Sequence, residues 1–162
     1  REPLSSLKRA DILIFTKTNL MQPNDFLNKT VKSARKPYFS STLEADTPIS
    51  FEGEPLSIKN GTKVVAISAI ADTKGFITTL KQLNVEIVDH FDFVDHYNYR
   101  QSDLQKLAGH IKSLNVKVVI TTEKDMVKLL PLDLLGMKMY SVRVSFCMEK
   151  NNKRKLLELI QA

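Results

Sequence analysis

From Lys63 onward the chain alternates short apolar runs with amphipathic segments, and this alternation limits the possible folds more than any single motif. Val64–Ile67, Val85–Val88, Val116–Ile120 and Met139–Val144 read as strands. Apolar runs unbroken by polar alternation suit strands covered on both faces. Between them, Phe76, Leu80 and Leu83 fall at helical spacing. Ser102 with Gln105 forms a capping-box pattern ahead of Leu104, Leu107, Ile111 and Leu114 on one helical face. Thr122 with Asp125 resembles a second capping box, before a helix around Met126–Leu130. Leu156, Leu157 and Ile160 mark a final amphipathic helix. Strands that alternate with helices predict an α/β fold, a mostly parallel sheet flanked by helices.

The first sixty residues are less regular. Asp11–Phe15 reads as a buried strand, Pro23 with Phe26, Leu27 and Val31 as a short helix, and Pro37–Ser41 as another strand. Ile49–Phe51 and Leu56–Ile58 flank Glu52-Gly53-Glu54-Pro55, which predicts a two-stranded ribbon between two larger parts. The expected divisions are residues 1–47, the ribbon at 48–60, and an α/β domain over 61–162.

The 43% hydrophobic content of the 162 residues supports a real core. No run is long enough to span a bilayer, and no signal peptide is visible. Cys147 is the single cysteine, so no disulfide framework exists within the chain, and its apolar strand-end setting suits a buried structural thiol. A reducing, cytoplasmic setting is expected. The net charge of +6, with clusters at Lys32–Lys36 and Lys150–Lys155, favours anions. No nucleic-acid module or aromatic–basic pattern accompanies it.

Three loops follow predicted strands: Ala69–Asp72, Phe91–Tyr99 and Thr121–Asp125. In a parallel sheet they open on one rim, where such sheets bind ligands. His96 is the candidate for acid–base work, because imidazole titrates near neutrality, and Asp95 is placed to fix its tautomer or stabilise its charge. A surface histidine in a polar loop would read the same way. His90 lies near a strand end and is expected to face solvent. Asp89, His90, Asp92, Asp95 and His96 also invite a metal reading, though their spacing matches no zinc signature. Lys124 is placed to reach an anionic ligand in the crevice, whereas Asp125 and the two threonines suit helix initiation. Neither Gly-x-Gly-x-x-Gly nor Gly-x-x-x-x-Gly-Lys-Ser/Thr occurs in the 162 residues.

Four segments, in order, resemble the tetraacyldisaccharide 4'-kinase family of lipid A biosynthesis. Arg1-Glu2-Pro3-Leu4 with Arg9-Ala10-Asp11 is similar to its Arg-Glu-Pro-Leu…Arg-Ala-Asp segment. Val65–Ala71 with Phe76 and Leu80 is similar to its strand–Gly-Ile–helix segment. Phe93–Tyr99 resembles its Phe-x-Asp-His-x-x-Tyr motif, and Thr121–Lys128 its Thr-Thr-Glu-Lys-Asp-x-Val-Lys motif. Ala69 stands where the family has Gly, and Thr73 where Pro is common.

The resemblance implies an ATP-dependent kinase acting on the 4'-hydroxyl of a tetraacyldisaccharide 1-phosphate, with this chain as its C-terminal part. It implies that residues 1–47 are the remnant of an N-terminal P-loop domain, joined through the ribbon, which would serve as a hinge. ATP and Mg2+ would be held mainly by that N-terminal half, and the 162 residues alone would be inactive for want of a Walker A loop. His96 would act on the sugar hydroxyl together with an upstream Asp. Asp95 would orient His96 or help hold the metal–nucleotide. Arg1 would contact the disaccharide, Glu2 would lie near Mg2+ or the substrate, and Thr122 and Lys124 would lie near the nucleotide. The intact protein would sit peripherally on the cytoplasmic face of the inner membrane, with ATP and the lipid A precursor as partners and no nucleic acid. Two other classes remain open from the residues: a non-catalytic nucleotide- or protein-binding α/β module, and a metal-dependent phosphohydrolase.

Overall fold

The computed structural model describes residues 3–20 and 25–161. After a 3-10 helix at Leu4–Arg9 come β1 (Leu13–Phe15), α1 (Asp25–Ala34), β2 (Tyr38–Ser40), β3 (Thr42–Ala45) and β4 (Ile49–Ser50). Then follow β5 (Thr62–Ser68), α2 (Thr73–Lys81), β6 (Val85–Asp92), α3 (Gln101–Ser113), β7 (Val118–Thr122) and α4 (Glu123–Leu129). The last elements are β8 (Lys138–Val142), β9 (Val144–Cys147) and α5 (Lys150–Gln161).

These elements form two compact units, one of residues 45–144 and one of residues up to 44 together with those from 145. The sequence pattern predicts divisions after 47 and 60, and none near 144. The difference arises because β9 pairs with β3 rather than extending the larger sheet.

In the larger unit the strand order is β4-β8-β7-β5-β6. The β5–β6, β5–β7 and β7–β8 pairs are parallel, and β4 joins β8 antiparallel. The fold class is therefore the expected mostly parallel α/β sheet flanked by helices. Val64, Val65, Ala66 and Ile67 on β5 are wholly buried. Val64 and Ala66 pack with Phe76 and Leu80 of α2 on one face. Val65 and Ile67 pack on the other with Leu104, Leu107 and Ile111 of α3 and Met126 and Leu129 of α4. Burial on both faces is why the run shows no polar alternation. Each fully buried Val, Leu or Ile side chain contributes roughly 1.5–3 kcal/mol.

Neighbouring strands β5 and β7 thus send their following helices, α2 and α4, to opposite faces. This is the topological switch point at which open α/β sheets form their ligand crevice.

The helix starts show how local chemistry sets the loops. At α2 the Asp72 carboxylate accepts the Gly75 N–H at 3.0 Å. A Cβ on Gly75 would lie 2.5 Å from Asp72 Oδ2, so a larger residue here would displace the Asp72 carboxylate. At α3 the expected Ser102–Gln105 box does not form. Asp103 instead reaches back to accept the Arg100 N–H at 2.9 Å, and it also takes the Tyr97 hydroxyl at 3.1 Å. A first-turn carboxylate that captures the residue ahead of the helix fixes the start before Ser102 can cap it. At α4 the expected pairing is present, with Thr122 Oγ1 accepting the Asp125 N–H at 3.1 Å.

The ribbon forms only at its tip. Ser50 N–H donates to the Glu54 carbonyl at 2.8 Å, and Ile49 makes a single bridge to Pro55. On the other side of that bridge the Leu56 N–H donates to the Pro48 carbonyl at 2.8 Å, and beyond Leu56 the second arm leaves the pair. On their other edge Ile49 and Ser50 pair with Ser141 and Tyr140 of β8. The single strand expected over Met139–Val144 is also divided. Arg143 separates β8 from β9, its carbonyl accepting the Asp46 N–H at 2.9 Å.

In the smaller unit β1 and β2 pair in parallel, Leu13 opposite Tyr38 and Phe15 opposite Ser40. The Asn19 side chain closes both backbone groups of Leu43, donating at 2.8 Å and accepting at 2.9 Å. Leu13, Val31, Phe39 and Leu43 are buried here. On α5, Leu157 and Ile160 of the expected apolar face are exposed. Cys147 is half-buried rather than buried. Pro23 lies outside the described residues.

Candidate active site

The strand after α2 delivers its following loop across the end of β5. The Ser68 carbonyl accepts the Phe93 N–H at 2.8 Å, and the Ala69 carbonyl accepts the His96 N–H at 3.2 Å. Beneath this loop Phe93, Tyr97 and Tyr99 form an aromatic cluster with ring centroids 4.8–5.6 Å apart. His96 has φ +63°, in the left-handed region that few side chains occupy. That backbone turns its imidazole outward, with 71% of the side chain exposed.

Three charged or titratable groups meet there. His96 Nε2 lies 3.7 Å from Asp95 Oδ2, Lys124 Nζ lies 3.8 Å from Asp95 Oδ1, and Lys124 Nζ lies 3.5 Å from His96 Nε2. None of these contacts is a short hydrogen bond. The imidazole nitrogen faces both a cation and a carboxylate without being committed to either. Such an arrangement can hold a hydroxyl, move its proton, and attract an anionic ligand.

Helix α4 fixes this arrangement from below. Asp125 is wholly buried. Its Oδ2 accepts from the Ala69 N–H at 3.0 Å and from the Thr122 hydroxyl at 2.8 Å. Lys128 Nζ donates to the Tyr97 carbonyl at 2.9 Å. Arg143 braces the start of the helix by donating from Nε to Glu123 Oε1 at 3.0 Å, which raises the guanidinium's already high pKa. Burial, and then the Asp125 charge, push the Tyr99 phenol well up, and donation to Asp103 raises that of Tyr97. Asp125 Oδ1, the Tyr99 hydroxyl and Thr121 Oγ1 are buried with no hydrogen-bond partner among the described residues.

The structure therefore brings Asp95, His96, Thr122 and Lys124 to one rim, where Ala69–Asp72 also lies. Arg1 and Glu2 lie outside the described residues. Among the described residues no three His, Cys, Asp or Glu side chains converge to hold a metal. The Asp-rich segment is dispersed: Asp89 turns to His110, and Asp92 accepts the Thr73 hydroxyl at 2.9 Å. His90 is half-buried against its neighbours rather than facing solvent. β6 runs on to Asp92, so His90 is internal to the strand, with its Nε2 2.9 Å from Ser68 Oγ and its ring tilted against Phe76. Burial lowers its pKa.

Asp125 and Lys128 are the residues the sequence reading left without a role at the site. Both lie in the Thr121–Lys128 motif, and the spacing of Lys124, Asp125 and Lys128 on one short helix was the available signal.

An open α/β sheet with a titratable cluster at its switch point defines a ligand-binding or catalytic unit. Comparison with known proteins narrows this. The family model for tetraacyldisaccharide-1-P 4'-kinase matches residues 1–161, and the chain belongs to that family. The tetraacyldisaccharide 4'-kinase of Desulfatibacillum aliphaticivorans is 29% identical over 164 residues, covering 94% of this chain and 43% of the relative. That of Aquifex aeolicus is 34% identical over 130 residues, covering 80% and 36%. The crystal structure of the "apo" form of LpxK from Aquifex aeolicus in complex with ATP superposes with a TM-score of 0.61 at 27% identity, over 98% of this chain and 45% of that one. The chain thus spans less than half the length of these relatives.

Proposed function

We propose that this chain is the C-terminal part of an ATP-dependent kinase that phosphorylates the 4'-hydroxyl of a tetraacyldisaccharide 1-phosphate. The observation that carries the reading is the meeting of Asp95, His96 and Lys124 at the β5/β7 switch point, in a chain of this family. ATP, which the solved relative holds, would enter as its magnesium complex. An ion carried by nucleotide phosphates needs only one or two protein carboxylates.

In this reading His96 holds the sugar hydroxyl and takes its proton as the oxygen attacks the γ-phosphorus, the bond from that phosphorus to the β,γ-bridging oxygen breaks, and ADP leaves. Asp95 steadies the imidazole as it gains charge. Lys124 offsets charge on the transferring phosphoryl group. Phosphoryl transfer depends chiefly on positioning and charge stabilisation. Arg1 would contact the disaccharide, Glu2 the magnesium or the substrate, and Thr122 the nucleotide. Residues 1–47 would belong to the phosphate-cradling domain, and the intact protein would work on the cytoplasmic face of the inner membrane.

The test is transfer of γ-labelled phosphate from ATP to the disaccharide by the intact protein. Label on the 4'-oxygen is the expected result, and its absence with a folded, ATP-binding protein would overturn the reading. Residues 1–162 alone, lacking a phosphate-cradling glycine loop, are expected to give no turnover.

A further inference from the structure

The loop that carries His96 makes few bonds within itself. Its register is set from α4, at three successive points of that helix. Lys124 lies against Asp95 and His96 at the solvent side. Asp125, one residue on and buried, accepts the N–H of Ala69, while the carbonyl of that same residue accepts the N–H of His96. Lys128, one turn further on, donates to the carbonyl of Tyr97, directly after His96. The backbone on both sides of the His96 Cα is therefore tied to α4, once through Ala69 and once directly.

His96 needs such ties. An L side chain held at φ +63° is strained relative to ordinary backbone. Surrounding contacts must over-determine such a conformation if it is to persist. Without them the peptide relaxes and the imidazole swings away from Asp95 and Lys124. The ties also cross the switch point, since Ala69 follows β5 and α4 follows β7. One short helix thereby couples the two strand ends that bound the crevice.

We propose that Asp125 and Lys128 are positioning residues for His96: through Ala69 and Tyr97 they hold its left-handed backbone, and so set the direction of its imidazole. This rests on the kinase reading of the site and adds two residues that act on the reaction without touching substrate. Asp125 acts through the neighbouring strand end, and Lys128 acts on the loop itself.

The experiment is a kinetic cycle in the intact kinase. Lys128→Met keeps the aliphatic length and removes the donor. Its kcat is expected to fall roughly 10- to 100-fold, because sub-ångström to ångström misplacement of a reacting group has effects of that order, while the KM for ATP stays near wild type. Lys128→Arg restores most of the kcat, since a guanidinium can still donate to the Tyr97 carbonyl. Asp125→Asn lowers kcat in the same way, and Lys128→Met keeps the test decisive if the buried substitution prevents folding. The deciding measurement is Lys128→Met made on a His96→Ala background. Residues that act as a unit are non-additive, so it should cost almost nothing further there. An equal fold-loss on both backgrounds would show that Lys128 acts elsewhere and overturn the proposal. So would an unchanged kcat for Lys128→Met when His96→Ala is impaired. Wild-type kcat in His96→Ala itself would instead overturn the underlying assignment of His96, and this proposal with it.

Discussion

Two Asp–His pairs occupy the larger unit, and the better-bonded one lies away from the strand ends. Asp89 and His110 meet at 2.8 Å, linking the middle of β6 to the last turn of α3. Both carboxylate oxygens and one ring nitrogen of that pair are engaged. Asp89 Oδ2 takes the imidazole, Oδ1 takes the His90 N–H at 2.7 Å, and the Phe91 ring meets His110 edge-on at 5.2 Å. The hydrogen bond from His110 holds the Asp89 carboxyl below its usual range. Asp95 and His96 stand 3.7 Å apart, with Lys124 at the third corner. The first pair is a strut whose bonding capacity is spent on joining a helix to a sheet. The second keeps a nitrogen uncommitted at the crevice. In this chain the well-bonded pair joins a helix to the sheet, whereas the open pair is the one that stands at the crevice.

The largest effect should come from the open pair. His96→Ala in the intact kinase is expected to lower kcat by about 10²–10⁴-fold, the usual range for loss of general acid–base help, with ATP affinity little changed. Steady-state kinetics with circular dichroism as a folding control would measure it, and wild-type turnover would return His96 to an ordinary surface residue. His110→Ala should show the reverse pattern, with kcat retained and about 1 kcal/mol or less of stability lost, as both side chains of the pair are substantially exposed. Because Asp89 has a lowered folded pKa, the part of this difference carried by its ionisation is present above its unfolded value of 3.8. It disappears as pH falls through the folded value. Urea unfolding of both proteins across acid pH would show the curves converging, and a constant gap would remove the strut. The smallest effect belongs to His90. Its folded pKa lies below 6.5, so the unfolded state binds more protons just beneath that pH and stability declines as pH drops from 6.5. His90→Gln should flatten that decline in a pH series of thermal midpoints, and an unaltered slope would mean burial of His90 has no energetic weight.

The alternation after Lys63 was readable because β5 and β7 are covered on both faces, which leaves unbroken apolar runs in the sequence. The break at Arg143 was not readable. β8 and β9 are contiguous apolar strands, and their separation is imposed by β3, about a hundred residues earlier in the chain. The ribbon was legible as far as the Ile49–Pro55 bridge and the bonds on either side of it, but its second arm stops at Leu56 while β4 joins β8, a partner about ninety residues away. The start of α3 depended on Asp103 outcompeting Ser102, a choice between two plausible caps that only the Tyr97 contact decides. At the site, the three loops were legible because each follows a strand of one parallel array. The role of Asp125 was hidden because a first-turn Asp always suits a helix start. What buries and employs it is the N–H of Ala69, 56 residues away. His90 was misplaced because β6 runs four residues past Val88, where the strand was expected to end.

The backbone of His96 carries a lesson for anyone replacing it. Alanine keeps a Cβ, so His96→Ala removes the imidazole and leaves the chain in a conformation it can escape only by moving the loop. Glycine is at ease at φ +63° and would leave the peptide where it stands. Imidazole supplied in solution would then reach the place beside Asp95 and Lys124 where the ring stood. Chemical rescue of His96→Gly, rather than of His96→Ala, is the cleaner way to count what the ring alone does.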